Sequence, residues 1–310
     1  MLSEPIVGMS AKAELNVAGK TLEVSNLGKV LYPKVGFTKG QVIDYYIRIA
    51  PVLLPHLKNR PITLKRYPDG VDGFFFYEKQ CPAHRPSWVK TTEVPASREE
   101  GHIDYCLFND LPALVWAANL ADLELHTFLH KAGKIDRPSA LAFDLDPGPP
   151  ADIILCCRVA LWLREVFEGH KLESFPKTSG SKGMQLYVPL NTATTYEKTK
   201  AFAHALAERM EAEHPKEVVS RMAKNLRKGK VFIDWSQNDE HKTTINVYSL
   251  RAKAHPTVST PLTWKEVEAA VKKKDPRKLV FETEDVLARV KKSGDLFEPV
   301  LTLKQKIPKG

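Results

Sequence analysis

The chain has 310 residues, 43% hydrophobic and 27% charged, and a formal net charge of +9 from 46 basic against 37 acidic side chains. That is globular usage with length enough for a large core, which excludes a disordered, collagenous or disulfide-scaffold chain. The positive excess suits a polyanionic partner such as DNA, RNA or a nucleotide, although many basic proteins bind none.

Residues 1–12 read as a flexible leader, with no basic start and apolar stretch of a signal peptide. Residues 13–25 read as a hairpin turning at Gly19 and Lys20. Residues 39–57 read as a helix with Val42, Tyr45, Tyr46 and Ile49 on one face, which Pro51 is expected to kink or end. Strands follow at 62–67 and 74–79 around the turn PDGVDG. Half of the run Phe74-Phe75-Phe76-Tyr77 is expected to be core by period two, leaving a ring on the other face. Asp110 is placed to cap a helix through LPALVWAANLADLEL. Residues 140–146 read as a strand, 151–168 as a helix, 184–190 as a strand, 196–213 as a helix and 231–235 as a strand, with another strand near 243–250. Thr263 and Glu266 have capping-box spacing for a helix to about Lys274, and a last helix spans about 284–292 before Gly294.

Strands and helices mix without a βαβ rhythm, so the fold class is α+β, with one catalytic unit over 13–300 and a tail at 301–310. No stretch approaches the roughly 20 apolar residues of a membrane helix, so no membrane partner is expected. Cys81, Cys106, Cys156 and Cys157 include no CxxC pair. A zinc ribbon is therefore not expected, and reduced thiols in a cytoplasmic protein are. Cys156 and Cys157 lie in an apolar helical run and read as core.

The chemistry concentrates in Phe143-Asp144-Leu145-Asp146-Pro147. On a strand Asp144 and Asp146 share a face, and two adjacent ionised carboxylates call for a hard cation, Mg²⁺ or Mn²⁺. A solvated strand end is the competing reading. Asp234, a lone charge ending the apolar strand VFID, adds a third acid, with a salt bridge to a nearby lysine as its competing reading. Three acids from two strands could hold two ions about 3.5–4 Å apart, the arrangement that serves phosphoryl transfer. Thr178-Ser179-Gly180-Ser181-Lys182-Gly183 offers backbone N–H groups and a lysine to an anion, or is an ordinary turn. Lys65, Arg66 and Lys79 beside the aromatic run form a platform for bases and phosphates. Lys29, Lys34 and Lys39 flank a loop, Arg227 lies in a basic cluster before Asp234, and Arg251 follows the strand near 243–250.

FDLDPG, TSGSKG, FIDWSQN and YSLRAKAHPTVSTPLTW occur in that order, preceded by NLGKVLYP, TLKRYPDGVDG and ANLADLELH. Over about residues 14–300 this set resembles the polymerase domain of bacterial DNA ligase D and its primase-polymerase relatives. The resemblance implies an archaeo-eukaryotic primase-polymerase fold, two-layered around an RRM-like sheet, in a bacterial, nucleoid-associated enzyme. It implies Asp144, Asp146 and Asp234 as ligands of two Mn²⁺ or Mg²⁺ ions. It implies Ser179, Lys182, Arg227, Gln237 and Arg251 on the phosphates of an incoming NTP or dNTP, and His126 near its sugar and phosphates. Lys65, Arg66, Phe76 and Tyr77, with Lys79 nearby, match the surface that meets template and incoming base. Asn26, Lys29 and Lys39 match a pocket for the 5′-phosphate of a gap or broken end. Templated extension and short gap filling in non-homologous end joining follow, often with ribonucleotides, beside the Ku protein and a DNA ligase. The sequence departs from the family at Gln185, where relatives often have histidine, and at Tyr77, where they often have phenylalanine. A stand-alone primase, a phosphodiesterase using the same acids, and an inactive module that binds DNA ends are the rival readings.

Overall fold

The structure is a computed structural model that describes residues 12–96 and 101–308; most of the expected leader lies outside them. In chain order the strands and helices are β1 (Lys12–Val17), β2 (Lys20–Ser25), β3 (Val30–Tyr32), β4 (Phe37–Thr38), α1 (Lys39–Leu57), β5 (Pro61–Arg66), β6 (Phe76–Glu78), β7 (Lys90–Pro95) and β8 (His102–Leu107). Next come α2 (Leu111–Asn119), β9 (Asp122–Thr127), β10 (Ala140–Pro147), α3 (Ile153–Gly169), β11 (Phe175–Thr178), β12 (Met184–Pro189), α4 (Tyr196–Glu213), β13 (Val218–Val219) and β14 (Val231–Asp234). β15 (Thr244–Ile245), α5 (Trp264–Lys273), α6 (Thr283–Ser293) and α7 (Pro299–Thr302) complete the order.

Two sheets carry the molecule. One has the order β11-β12-β10-β14-β13, and the other β15-β9-β5-β8-β7 with β6 also paired to β5. Pairing is antiparallel throughout except between β13 and β14. This is the α+β arrangement expected from the irregular order of elements. One core lies between the six-stranded sheet and α1 and α2, built on Tyr45, Tyr46, Leu53, Leu123 and Leu125. The other joins the five-stranded sheet to α3 and α4 through Phe143, Leu163, Phe167 and Ala207. Cys156 and Cys157 are buried free thiols within it, as expected.

Local chemistry explains where the elements begin. Thr38 and Gln41 form a capping box that starts α1, Asp110 caps α2, Asp152 caps α3, and Thr263 with Glu266 caps α5. Several expectations need correction. α1 does not end at Pro51: it runs through Pro51 and Pro55 to Leu57, the full span expected, because both prolines lie on its exposed face, where water can take the carbonyls they leave unbonded. α2 stops at Asn119 instead of running on, since Ala121 turns left-handed at φ 58° and the next residues alternate as β9. The strand expected near 243–250 is only Thr244–Ile245, because Tyr248 takes φ 63° and breaks the extended path. Cys81 and Cys106 are not reduced thiols but a disulfide: the Cys81 N–H donates to the Asp104 carbonyl, which sets the two Cα atoms 5.0 Å apart, within bridging range. Among the described residues no helix is long and apolar enough to cross a membrane.

Leu163 is fully buried on α3 against the five-stranded sheet. Leu163→Ala should cost about 2–5 kcal/mol of stability, seen as a lower urea midpoint at unchanged slope; a midpoint within error of the parent would show that α3 is not part of the cooperative core.

Candidate active site

β10 lies at the middle of the five-stranded sheet. Its alternation sends Leu141, Phe143 and Leu145 into the core and turns Asp144 and Asp146 to the other face. Asp144 stands directly opposite Asp234 on β14 and opposite Gln185 on β12, and Gln185 stands opposite Lys177 on β11. Lys177, Gln185, Asp144 and Asp234 thus form one polar row across four strands. The Lys177 ammonium, fully buried, donates to the Ile245 carbonyl at 3.1 Å and to Ser259 Oγ at 2.7 Å, and burial pushes it down to about 7 against the pull of Asp144. Burial, then the charges of Asp146 and Asp234, push the Asp144 carboxyl up to about 7. Burial and Asp234 also raise Asp146, although Arg227, Arg251 and Lys182 pull the other way.

Among the described residues Asp144 Oδ1 is buried without a hydrogen-bond partner, and so is Gln185 Oε1. Unpartnered oxygens beside crowded carboxylates suit a hard divalent cation, so Asp144 and Asp146 fit Mg²⁺ or Mn²⁺. Asp234 is engaged locally instead. Its Oδ1 accepts from the Ser236 amide at 3.0 Å and the Ser236 hydroxyl at 2.5 Å, and its Oδ2 accepts from Gln237 Nε2 at 2.9 Å. Among the described residues no three Asp, Glu, His or Cys side chains converge as a ready coordination shell. Oδ2 of Asp234 accepts only the Gln237 bond among the described residues, so Asp234 keeps capacity for an ion while Ser236 and Gln237 orient its carboxylate.

Ser179–Gly183 turns the chain from β11 into β12 over these acids. Ser179 Oγ accepts from the amides of Ser181 and Gly183, both at 3.3 Å. A Cβ on Gly183 would come 2.1 Å from the Leu145 carbonyl oxygen, so only glycine lets the turn lie on β10. A cleft of about 410 Å³ opens between the sheets. Asp144, Asp146, Ser179, Lys182 and Gln237 line it from the five-stranded side, and His126, Tyr77 and Arg251 from the other. Arg251 joins the two sides: its Nη1 donates to the Ser179 carbonyl at 2.7 Å, and its Nε lies 3.2 Å from Glu124 on β9.

Three expected residues stand back from this cleft among the described contacts. Asp234 is held as above. Arg227 donates to the Met222 carbonyl at 2.7 Å and stacks 3.7 Å from the Phe232 ring, although its charge reaches Asp146. Lys65 lies under the rings of Phe75, Tyr77 and Tyr67, at 4.8, 5.2 and 5.3 Å, and 3.3 Å from Glu124.

The aromatic run differs from expectation in two ways. None of Phe74, Phe75, Phe76 and Tyr77 is buried; Phe74 is 67% and Tyr77 56% exposed. β6 is a three-residue strand paired only with β5 among the described strands, and its rings lie at the rim of the cleft rather than in either core. Nor do Lys65, Arg66, Phe76 and Tyr77 share one surface. In the β5–β6 register Lys65 pairs with Tyr77 and Arg66 with Phe76, so the two pairs point to opposite faces. Arg66 is tied to Glu78 at 2.8 Å and to the Leu120 carbonyl at 3.0 Å. Lys79 is exposed just beyond β6.

Asn26, Lys29 and Lys39 do come together. Asn26 turns with φ 54°, the Lys29 amide donates to its carbonyl, and the Lys39 amide donates to that of Lys29. The Lys39 ammonium donates to the Ser25 carbonyl at 2.7 Å, and burial, then Lys29 and Arg66, push it down to about 8. Positive charges that depress one another attract an anion.

Sequence reasoning missed Glu124, Lys177 and Thr244. Lys177, the one charge of β11, carried the kind of signal that exposed Asp234.

A search of solved structures finds the polymerase domain from Mycobacterium tuberculosis ligase D in complex with DNA, with a TM-score of 0.84, 37% identity, and coverage of 92% of this chain and 99% of that one. The two sheets and the cleft between them are therefore the fold of the archaeo-eukaryotic primase-polymerases. The family model for the LigD primase-polymerase domain matches residues 38–297, and the chain belongs to that family. It is 40% identical over 281 residues to the multifunctional non-homologous end joining protein LigD of Mycolicibacterium smegmatis, covering 90% of this chain and 36% of the relative. It is 34% identical over 275 residues to the bifunctional non-homologous end joining protein LigD of Bacillus subtilis, covering 88% of this chain and 43% of the relative. The chain thus spans well under half the length of these curated relatives.

The raised Asp144 carboxyl fixes a pH dependence. The folded protein keeps a proton that an unfolded aspartate, ordinarily near 3.9, releases, so the group's stabilising contribution is full below about pH 4 and is lost as pH rises to about 7. The ion-free protein should melt at a lower temperature at pH 7.5 than at pH 5, and Asp144→Asn should flatten part of that slope. Equal slopes in the two proteins would refute the crowding of charge at this row.

Proposed function

We propose that the chain is a template-dependent nucleotidyltransferase that extends DNA or RNA primers and fills short gaps at DNA breaks during non-homologous end joining, with a preference for ribonucleotides. One observation carries the reading: a carboxylate pair with an unpartnered oxygen, the Ser-Gly-Ser-Lys turn beside it and Arg251 opposite all line a single cleft. Acids and phosphate-binding donors converging on one cleft suit transfer of a nucleotidyl group from a triphosphate.

Asp144 and Asp146, joined by Asp234 through its Oδ2, would hold one or two Mn²⁺ or Mg²⁺ ions, which when bound supply charge neutralisation and an acidified hydroxyl nucleophile. The chain's own groups do the rest. Ser179, Lys182 and Arg251 take the phosphates of an NTP or dNTP, with Gln237 beside them and Arg227 near Asp146. His126 takes the sugar. Lys65 and Tyr77 meet the incoming base, and Arg66, Phe76 and Lys79 meet template on the opposite face of the β5–β6 ribbon. Asn26, Lys29 and Lys39 bind the 5′-phosphate of the downstream strand. The Ku protein and a DNA ligase are the proposed partners in joining, in a cytoplasmic, nucleoid-associated setting.

Primer extension on a gapped duplex with Mn²⁺ and a downstream 5′-phosphate tests the reading. Templated addition that Asp144→Ala reduces by about 10³-fold or more, with DNA binding retained, is expected. No addition by the parent protein with either ion, while DNA ends are still bound, would replace the polymerase with an end-binding module. Lys29→Ala with Lys39→Ala should remove most of the advantage that the 5′-phosphate confers, measured as the ratio of rates on phosphorylated and unphosphorylated gaps. A ratio equal to the parent's would take the phosphate away from this pocket.

A further inference from the structure

Glu124 is 1% exposed at the middle of β9, and a carboxylate so placed is costly unless it is fully partnered. It has four donors. Oε2 lies 3.3 Å from Lys65 Nζ and 3.0 Å from His126 Nε2. Oε1 accepts from the Ala252 amide at 3.0 Å and lies 3.2 Å from Arg251 Nε. The register makes this deliberate: Lys65 stands opposite Glu124 across β5–β9, and Glu124 and His126 share a face of β9. Burial alone would raise the carboxyl, but the His126 hydrogen bond and the charges of Arg251 and Lys65 hold it well below the usual carboxylate range.

An ionised carboxylate only accepts, so His126 Nε2 carries the proton that points at Glu124. Burial, with Arg251 and Lys65 nearby, lowers the affinity of the ring for a second proton despite Glu124. Nδ1 then remains as a bare acceptor on a ring that lines the cleft, with Tyr77 at 6.0 Å. An acceptor of this kind rewards a hydroxyl donor, and the sugar of a ribonucleotide carries one more hydroxyl than that of a deoxyribonucleotide.

We propose that Glu124 is a positioning residue for sugar selection, fixing the His126 imidazole as a hydroxyl acceptor while anchoring Arg251 and Lys65 around the same nucleotide. The proposal rests on the polymerase reading and adds to it the residue that sets its selectivity. Arg251 reaches the phosphate turn through Ser179, so one carboxylate registers the sugar end of the ligand against its phosphate end.

The test is steady-state extension of a gapped duplex with Mn²⁺, comparing ATP with dATP for the parent protein, Glu124→Gln, His126→Ala and the double variant. The parent should prefer ATP. Glu124→Gln should lower kcat/KM for both nucleotides, and more for ATP through KM, so that the ATP to dATP ratio falls about fivefold, the worth of one hydrogen bond. His126→Ala should lower the ratio similarly, and the double variant should lower it no further. Should Glu124→Gln fail to fold by circular dichroism, Glu124→Asp withdraws the charge by one methylene and should also lower the ratio. A parent without preference for ATP, an unchanged ratio in the folded variant, or fully additive effects in the double variant would each overturn the proposal. A parent that adds neither nucleotide would instead overturn the polymerase reading, a failure seen before any variant is made.

Discussion

Asp144 and Asp234 face each other across a hydrogen-bonded strand pair, with Asp146 two residues away on the same face. Like charge in so small and dry a space is unfavourable, and much of the surrounding sequence answers it. Lys177 is buried at the far end of the same row, and Arg227, Arg251 and Lys182 press their charge on Asp146. Ser236 and Gln237 occupy the oxygens of Asp234. Even so, Asp144 keeps an oxygen that no described donor reaches. A sheet built only for stability would place an apolar residue there, so the row is what marks this face as the candidate site.

The second sheet solves a related problem with the opposite sign. It collects Lys65, His126 and Arg251 around one cleft and stabilises them with a single buried carboxylate. The two sheets meet through a shared apolar core that takes in Ala142 and Tyr187, and through polar links: Lys177 to the Ile245 carbonyl, Gln185 to Thr244, and Arg251 between Ser179 and Glu124. Each half of the candidate site thus takes its geometry from the centre of a sheet, and the two halves are set against each other by packing as well as by polar bonds.

Much of this was legible in the sequence, for identifiable reasons. Capping boxes at Thr38 and Thr263 and the period-two pattern at Asp144 and Asp146 are local signals, and local chemistry decided them. The ordered motifs led to the fold because they span most of the chain. What failed was non-local. The extent of α2 was set by the left-handed turn at Ala121, the pairing of Cys81 with Cys106 by a contact between β8 and the segment after β6, and the division of Arg66 from Lys65 by strand register. Glu124 was missed although it neighbours His126 in the sequence, because its meaning lies in Lys65 from β5, Arg251 from the segment after β15 and the His126 imidazole, brought together only by the fold.

The bare rings of Phe74, Phe75 and Tyr77 have a cost outside any reaction. They project beside a short edge strand, the kind of sticky surface through which proteins adhere to their own copies. Lys65, Arg66 and Lys79 sit next to them, and the whole molecule carries a charge of +9. Mutual repulsion between such molecules opposes ring-to-ring adhesion, and salt weakens it within about 8 Å at physiological strength. Colloidal stability and the proposed recruitment of a polyanion therefore draw on the same lysines and arginines. Neutralising that patch would erode both.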